Sequence, residues 1–188
     1  MHARRVLGIV SSSLCLLGCA ISRPGITDLH NRPVDPFADK SATAIVLVFI
    51  SNDCPIANRY APEIDRLYSR FSQQRIVFWL VHPDSGETRE AIIKHAREYR
   101  LTAPELRDPQ HELVKLAKAE VVPSAAVFLP DRRLVYHGRI DDWFVELGRE
   151  RPEALHHDLA NVLEALLNRH PVPVANATAI GCYIPDTR

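Results

Sequence analysis

The chain has no surplus of either charge: 23 Lys and Arg residues balance 23 Asp and Glu residues over 188 positions. That balance removes the net field that would draw a protein to nucleic acid or to an anionic membrane surface, and no nucleic-acid partner is expected. No internal repeat and no low-complexity segment is present, which sets aside repeat architectures. No apolar run reaches the ~20 residues a spanning helix needs. Nine histidines are scattered without chelating spacing. His156 and His157 are adjacent, and neighbours on a helix diverge by ~100°, so no metal site and no cofactor are expected. Cysteine is scarce, at positions 15, 19, 54 and 182.

What remains suits one domain with an ordinary apolar fraction of 46%. The stretch with the most chemical content is Ala44 to Phe71, AIVLVFISNDCPIANRYAPEIDRLYSRF. A buried-strand pattern is followed at once by Cys54, Pro55 and an amphipathic helix pattern. Cys54 therefore sits at a helix N-terminus, where unpaired N–H groups and the dipole favour a thiolate, the nucleophilic form. Asp53 beside it opposes that ionisation, and Arg59 one turn on is placed to neutralise Asp53. An inert buried cysteine is the bland alternative.

The first nineteen residues stand apart. Arg4 and Arg5 precede a mostly apolar stretch, Val6 to Leu17, too short to cross a bilayer. It ends Leu16-Leu17-Gly18-Cys19, which resembles a bacterial lipobox, although Leu17 is not the usual small residue. The resemblance implies a lipoprotein-type signal peptide over 1–19, lipidation of Cys19 and a short tether over 20–26. With Ala20 next, it implies an outer-membrane anchor facing the periplasm; an ordinary secretory signal is the alternative. Export leaves Cys54 and Cys182 as a possible pair in an oxidising compartment.

Further along, Thr27 to Val34 suggests a small hairpin and Arg75 to His82 a second buried strand. Asp84 and Glu87 are spaced as a capping box for a helix to Tyr99, with Ile92, Ala96 and Tyr99 inward. Asp108-Pro109 opens a short helix through Leu113 and Leu116. Ser124–Leu129 and Leu134–Gly138 form a hairpin. Pro152 opens a last helix with Leu155, Leu159, Val162, Leu163 and Leu166 on its apolar face. The expected domain is 27–168, and an irregular tail, 169–188, carries Cys182. The order β-α-β-α-α-β-β-α describes an α/β fold, a mixed sheet with helices on both faces.

Asp53-Cys54-Pro55-Ile56-Ala57 followed by Ala61-Pro62-Glu63-Ile64 resembles the active-site junction of the thioredoxin-like superfamily. Val122-Pro123-Ser124 resembles its cis-proline loop, which implies that Val122 and Pro123 bind substrate. NDCPIANRYAPE, GRIDD and GCYIP are similar to the redoxin branch, the alkyl hydroperoxide reductase and thiol-specific antioxidant group. Against the thioredoxin pattern, Ala57 stands where a second cysteine would resolve a mixed disulfide. Against the peroxiredoxin pattern, Ser51 matches the Thr or Ser three residues before the cysteine, but Leu47 replaces a proline. That pattern also implies an arginine near the thiolate, Arg59 or Arg139. Cys182 is then a resolving cysteine, a structural partner of Cys54, or free.

His82 ends the second strand on the edge where Cys54 emerges and reads as a strand-end histidine, with roles as ligand or thiol modulator as alternatives. His95, His111 and His137 read as solvated surface, Phe78 and Trp79 as strand core. Arg139, Asp141, Asp142 and Trp143 read as a salt-bridged loop with Trp143 packed on the body. The expected activity is an exported thiol–disulfide oxidoreductase with Cys54 as nucleophile, Cys182 as resolving thiol, and Ser51, Asp53, Pro55 and Arg59 in support. Its partners would be protein thiols, disulfides or peroxides, with the membrane reached through a lipid anchor. A peroxidase at Cys54 and a non-catalytic binding module with a structural disulfide are the alternatives.

Overall fold

Ala44–Phe49 is six apolar residues in a row, and all six are buried. A strand that alternated apolar and polar would leave one face wet; this one is covered on both, as in the middle of an α/β sheet. In the computed structural model, which describes residues 25–185, it is the central strand of a seven-stranded mixed sheet. Residues 1–24 and 186–188, and with them the expected signal peptide and Cys19, lie outside the described residues.

The strands are β1 (Thr27–Asp28), β2 (Ala44–Phe49), β3 (Ile76–His82), β4 (Glu105–Arg107), β5 (Val121–Val122), β6 (Ser124–Phe128), β7 (Leu134–Gly138), β8 (Phe144–Glu146), β9 (Arg149–Glu150), β10 (Asn176–Ala177) and β11 (Cys182–Tyr183). The helices are α1 (Pro55–Phe71), α2 (Arg89–Tyr99), α3 (Glu112–Ala117) and α4 (Asp158–Leu167). The main sheet runs β1-β4-β3-β2-β6-β7-β10, and β5 pairs with β11 and β8 with β9 in two small ribbons. β2 is parallel to β3, as the α1 crossover requires, and antiparallel to β6. Ala61, Ile64, Leu67 and Phe71 of α1 repeat at helical spacing and all are buried. Burial of Ile64, Leu67 and Phe71 contributes roughly 1.5–3 kcal/mol each. No helix of the described residues is long and apolar enough to cross a membrane.

Several expectations shift. Helix α2 starts at Arg89, capped by the Thr88 hydroxyl, which accepts from Ala91 N–H. The Asp84 carboxylate closes its own turn onto Gly86 N–H, and Glu87 turns inward, so the two make no capping box. Tyr99, the last residue of α2, and Leu116 are exposed rather than inward. Helix α3 begins three residues after Pro109. Asp108 nevertheless caps it, accepting from the amides of Glu112, Leu113 and Val114 at 2.8–3.0 Å. Helix α4 starts at Asp158, not at Pro152, because Asp142 takes the amides of Leu155 and His156 and holds them in a loop. Leu155 is consequently exposed, while Leu159, Val162 and Leu163 are buried. Trp79 is only half-buried, on an alternating stretch of β3. His95 and His111 are buried rather than solvated; their ring nitrogens bond Asn58 Oδ1 and the Pro83 carbonyl.

The segment after α4 is irregular apart from two two-residue strands, β10 and β11. β10 adds to the main sheet beside β7, an approach that depends on Gly138, where φ is +144° and any Cβ would strike the Ala177 backbone.

Candidate active site

Cys54 occupies the N-cap of α1 with extended backbone (φ −85°, ψ 109°), and Pro55 opens the first turn. Proline costs nothing there, because the first helical N–H groups have no intrahelical acceptor. The Cys54 side chain is 2% exposed and closes a disulfide with Cys182, 128 residues away, with Cα atoms 6.0 Å apart. Ala57, one turn along the helix, is buried and carries no thiol.

The second wall is the loop before β6. Val122–Pro123 is a cis peptide, and the Val122 carbonyl oxygen lies 3.2 Å from Cys54 Sγ. β11 runs antiparallel to β5, with Cys182 opposite Val122 and Tyr183 opposite Val121. The Ile184 amide extends the ladder by donating to the Glu120 carbonyl at 3.0 Å. Cys54, Val122, Pro123 and Cys182 thus converge on one point.

The turn before Cys54 is held from below. The Ser51 hydroxyl and the Asn52 amide both donate to Glu87 Oε1, at 2.8 and 2.6 Å. The other Glu87 oxygen faces His82 Nδ1 at 2.8 Å, and His82 Nε2 meets Glu105 Oε2 at 2.8 Å. His82 is fully enclosed between these carboxylates. Burial works against its charge, but the hydrogen bonds and charges of Glu105 and Glu87 outweigh it and hold His82 above the usual histidine value. Burial likewise pushes Glu87 up, yet the bond to and charge of His82, with the Asn52 and Ser51 donors, bring it below the ordinary glutamate value. A strand-end histidine therefore belongs to a buried triad that anchors the active-site turn. The residue missed by sequence reading is Glu87, whose spacing from Asp84 imitates a cap.

Neither expected arginine is placed beside the sulfur by its contacts. Arg59 pairs with Glu150 at 2.9 Å, not with Asp53, and lies over the rings of Trp143 and Phe144 at 5.1 and 5.4 Å. The aromatic shelf presented by the 140–151 loop outcompetes a solvated aspartate for a planar guanidinium. Arg139 pairs with Asp158 at 2.7 Å. Ser51 spends its hydroxyl on Glu87, and Asp53 is exposed.

The loop after β7 locks onto α1. Tyr60 donates to Asp141 at 2.5 Å, and the Trp143 amide donates to the same oxygen. Burial raises Asp141 above the usual range despite those donors. Trp143 packs edge-on against Tyr60, as expected for a loop fixed to the body. Ligand atoms of Glu63, Asp141 and His157 lie within 4.8 Å of one another. Arg66 already binds both Glu63 oxygens, and this set makes no cation cage.

A family model described as the AhpC/TSA family matches residues 27–137. No curated protein matches the chain. Among solved structures, an uncharacterized conserved protein from Geobacillus kaustophilus is 26% identical, with a TM-score of 0.75 over 96% of this chain and 98% of that one. A hypothetical protein from Sinorhizobium meliloti is 24% identical, with a TM-score of 0.73 over 85% and 88%. The thioredoxin domain of a thiol-disulfide oxidoreductase from Bacteroides vulgatus is 16% identical, with a TM-score of 0.55 over 78% and 96%. The fold is thioredoxin-like, a mixed sheet flanked by helices.

Proposed function

The chain belongs to the AhpC/TSA family, and from that premise we propose that it is an exported thiol–disulfide oxidoreductase in which Cys54 attacks and Cys182 resolves. One observation carries the reading: a thiol at a helix N-terminus, against a cis-proline loop, is bonded to a cysteine delivered by a separate strand and not by the next helical turn. In the reduced protein the Cys54 thiolate attacks one sulfur of a substrate disulfide. That S–S bond breaks, and the departing thiolate takes up a proton. The Cys182 thiolate then attacks Cys54 Sγ and releases the rest of the substrate as a thiol. Two electrons pass to the substrate, and an external thiol reductant restores the pair. Val122 and Pro123 form the substrate-side wall, while Ser51 holds the turn through Glu87.

Peroxide reduction at Cys54 is the second reading, favoured by the family. There the thiolate would break the O–O bond to give a sulfenic acid, and Cys182 would condense with it, releasing water. The Ser51 hydroxyl, already donated to Glu87, and Leu47 in place of proline support disulfide exchange over this route. The unit 27–168 would carry the site and 169–188 the resolving arm. The Arg4 to Cys19 pattern supports export and lipid anchoring at the outer membrane.

Stopped-flow mixing of reduced protein with a model aromatic disulfide, and separately with low peroxide, tests the proposal. Faster turnover of the disulfide, abolished in Cys54→Ser, is expected. Faster turnover of peroxide transfers the assignment to the peroxidase. A bridge that resists millimolar thiols, with no exchange at all, leaves a non-catalytic module.

A further inference from the structure

The tail that bears Cys182 is bound the way an extended peptide would be. Through β11 it lies antiparallel on β5, its cysteine opposite Val122 and its tyrosine opposite Val121. The two positions flanking that cysteine are treated very differently. Tyr183 is 82% exposed, so the residue after the cysteine is unconstrained in size. Gly181 passes so near the Val122 carbonyl that a Cβ would collide with its oxygen and carbon. Those are backbone atoms with no rotamer to escape into. The same oxygen stands 3.2 Å from Cys54 Sγ, so it cannot withdraw without disturbing the reacting sulfur. Backbone pairing along β5 accepts any extended segment; one carbonyl imposes the choice of residue.

We infer that β5 binds extended peptide segments in which glycine immediately precedes the reacting cysteine, and that Gly181-Cys182-Tyr183 is the resident copy of that pattern. The inference rests on the thiol–disulfide reading and adds a substrate class to it. Substrate and tail use one edge and exclude each other. The Cys54 thiolate attacks the cysteine sulfur of a bound Gly-Cys segment, the segment's disulfide breaks, and its other half leaves as a thiol. Cys182 then attacks Cys54 Sγ as the tail strand retakes β5, and the Gly-Cys segment departs reduced. The electrons end in the two substrate thiols, and a dithiol reductant reopens Cys54–Cys182.

The test uses the full chain, reduced and freed of reductant, with two peptides differing only in Gly or Val before a cysteine that is capped as a disulfide with a chromogenic aromatic thiol. The aromatic thiol is the better leaving group, so attack falls on the peptide sulfur. Rates are normalised to those of each peptide with a simple alkyl thiol, and the aromatic disulfide alone is the third substrate. The Gly peptide is expected to react at least roughly tenfold faster, the scale on which a pocket rejects one extra small group. Equal normalised rates, with the aromatic disulfide still consumed, overturn the inference and leave the oxidoreductase reading standing. No reaction with the aromatic disulfide itself removes both. In Gly181→Ala the closing of Cys54–Cys182 is expected to slow by a similar factor, and closure at the wild-type rate overturns the steric premise.

Discussion

His82 and Glu87 form a buried ion pair, 2.8 Å between Nδ1 and Oε2, and the second oxygen of that glutamate holds the turn that carries Cys54. The site's anchoring therefore depends on two titrations of opposite sign. His82 is held above its ordinary value near 6.5, so its contribution is complete below that pH and is lost as pH rises through its raised value. Glu87 is held below its ordinary value near 4.5, so its contribution is complete above that pH and is lost as pH falls through its lowered value. Both are fully present between the two ordinary values. Denaturant titrations of the oxidised protein across pH are expected to show stability falling on either side of that window. In His82→Gln the alkaline decline attributable to this histidine disappears; a variant whose profile matches wild type shows that the pair does not set the pH dependence.

Glu87→Ala removes the acceptor of the Ser51 hydroxyl and the Asn52 amide and strips His82 of one counter-charge. Breaking a buried pair from one side costs about 3–5 kcal/mol. Glu87→Gln keeps a carbonyl for the Asn52 amide and is expected to cost less, about 1–3 kcal/mol. Chemical denaturation ranks the two, and alkylation of reduced Cys54 is expected to slow in the order wild type, Gln, Ala as the turn loosens. The reverse order removes Glu87 from the support of the site.

Arg59→Ala is expected to cost no more than about 1 kcal/mol, since its pair with Glu150 is substantially solvated and the guanidinium lying over Trp143 and Phe144 is itself half-exposed. The pH profile of Cys54 alkylation is expected to be unchanged, because this guanidinium is committed to Glu150 and the aromatic shelf. A shift of that profile by a whole unit restores Arg59 to the thiol.

The strand–helix junction at Cys54 and the hairpin from Ser124 to Gly138 were legible because each is written locally: a run of apolar residues, a turn signal, a helical stripe. Long-range relationships were not. Glu87 and Asp84 satisfy the spacing of a cap, and only the fold reveals that His82, from the preceding strand, claims Glu87 first. Asp108 was read correctly as a capping residue, but its carboxylate reaches three amides beyond the expected start of the helix. The two-residue strands β5, β10 and β11 are too short to show a period, so the ladder that delivers Cys182 to Cys54 leaves no pattern in the sequence. Gly138 and Gly181 were visible as letters in GRIDD and GCYIP; their reason, a backbone passing too close for a Cβ, exists only in three dimensions.

Cys182→Ser separates what the bridge does for folding from what it does for turnover. Closing a loop across 128 residues stabilises the folded chain by at most about 5 kcal/mol in the chain-entropy model. The variant is expected to lose about that much and to become indifferent to reductant, while wild-type protein falls to the same stability once reduced. In turnover the variant has, among the described residues, no second thiol to release a substrate from Cys54, since Ala57 cannot serve. A mixed disulfide on Cys54 is therefore expected to persist after reaction with a model disulfide, visible as added mass that a dithiol removes. Stability lost without any trapped adduct would make Cys182 a structural partner and return the resolving step to an external thiol.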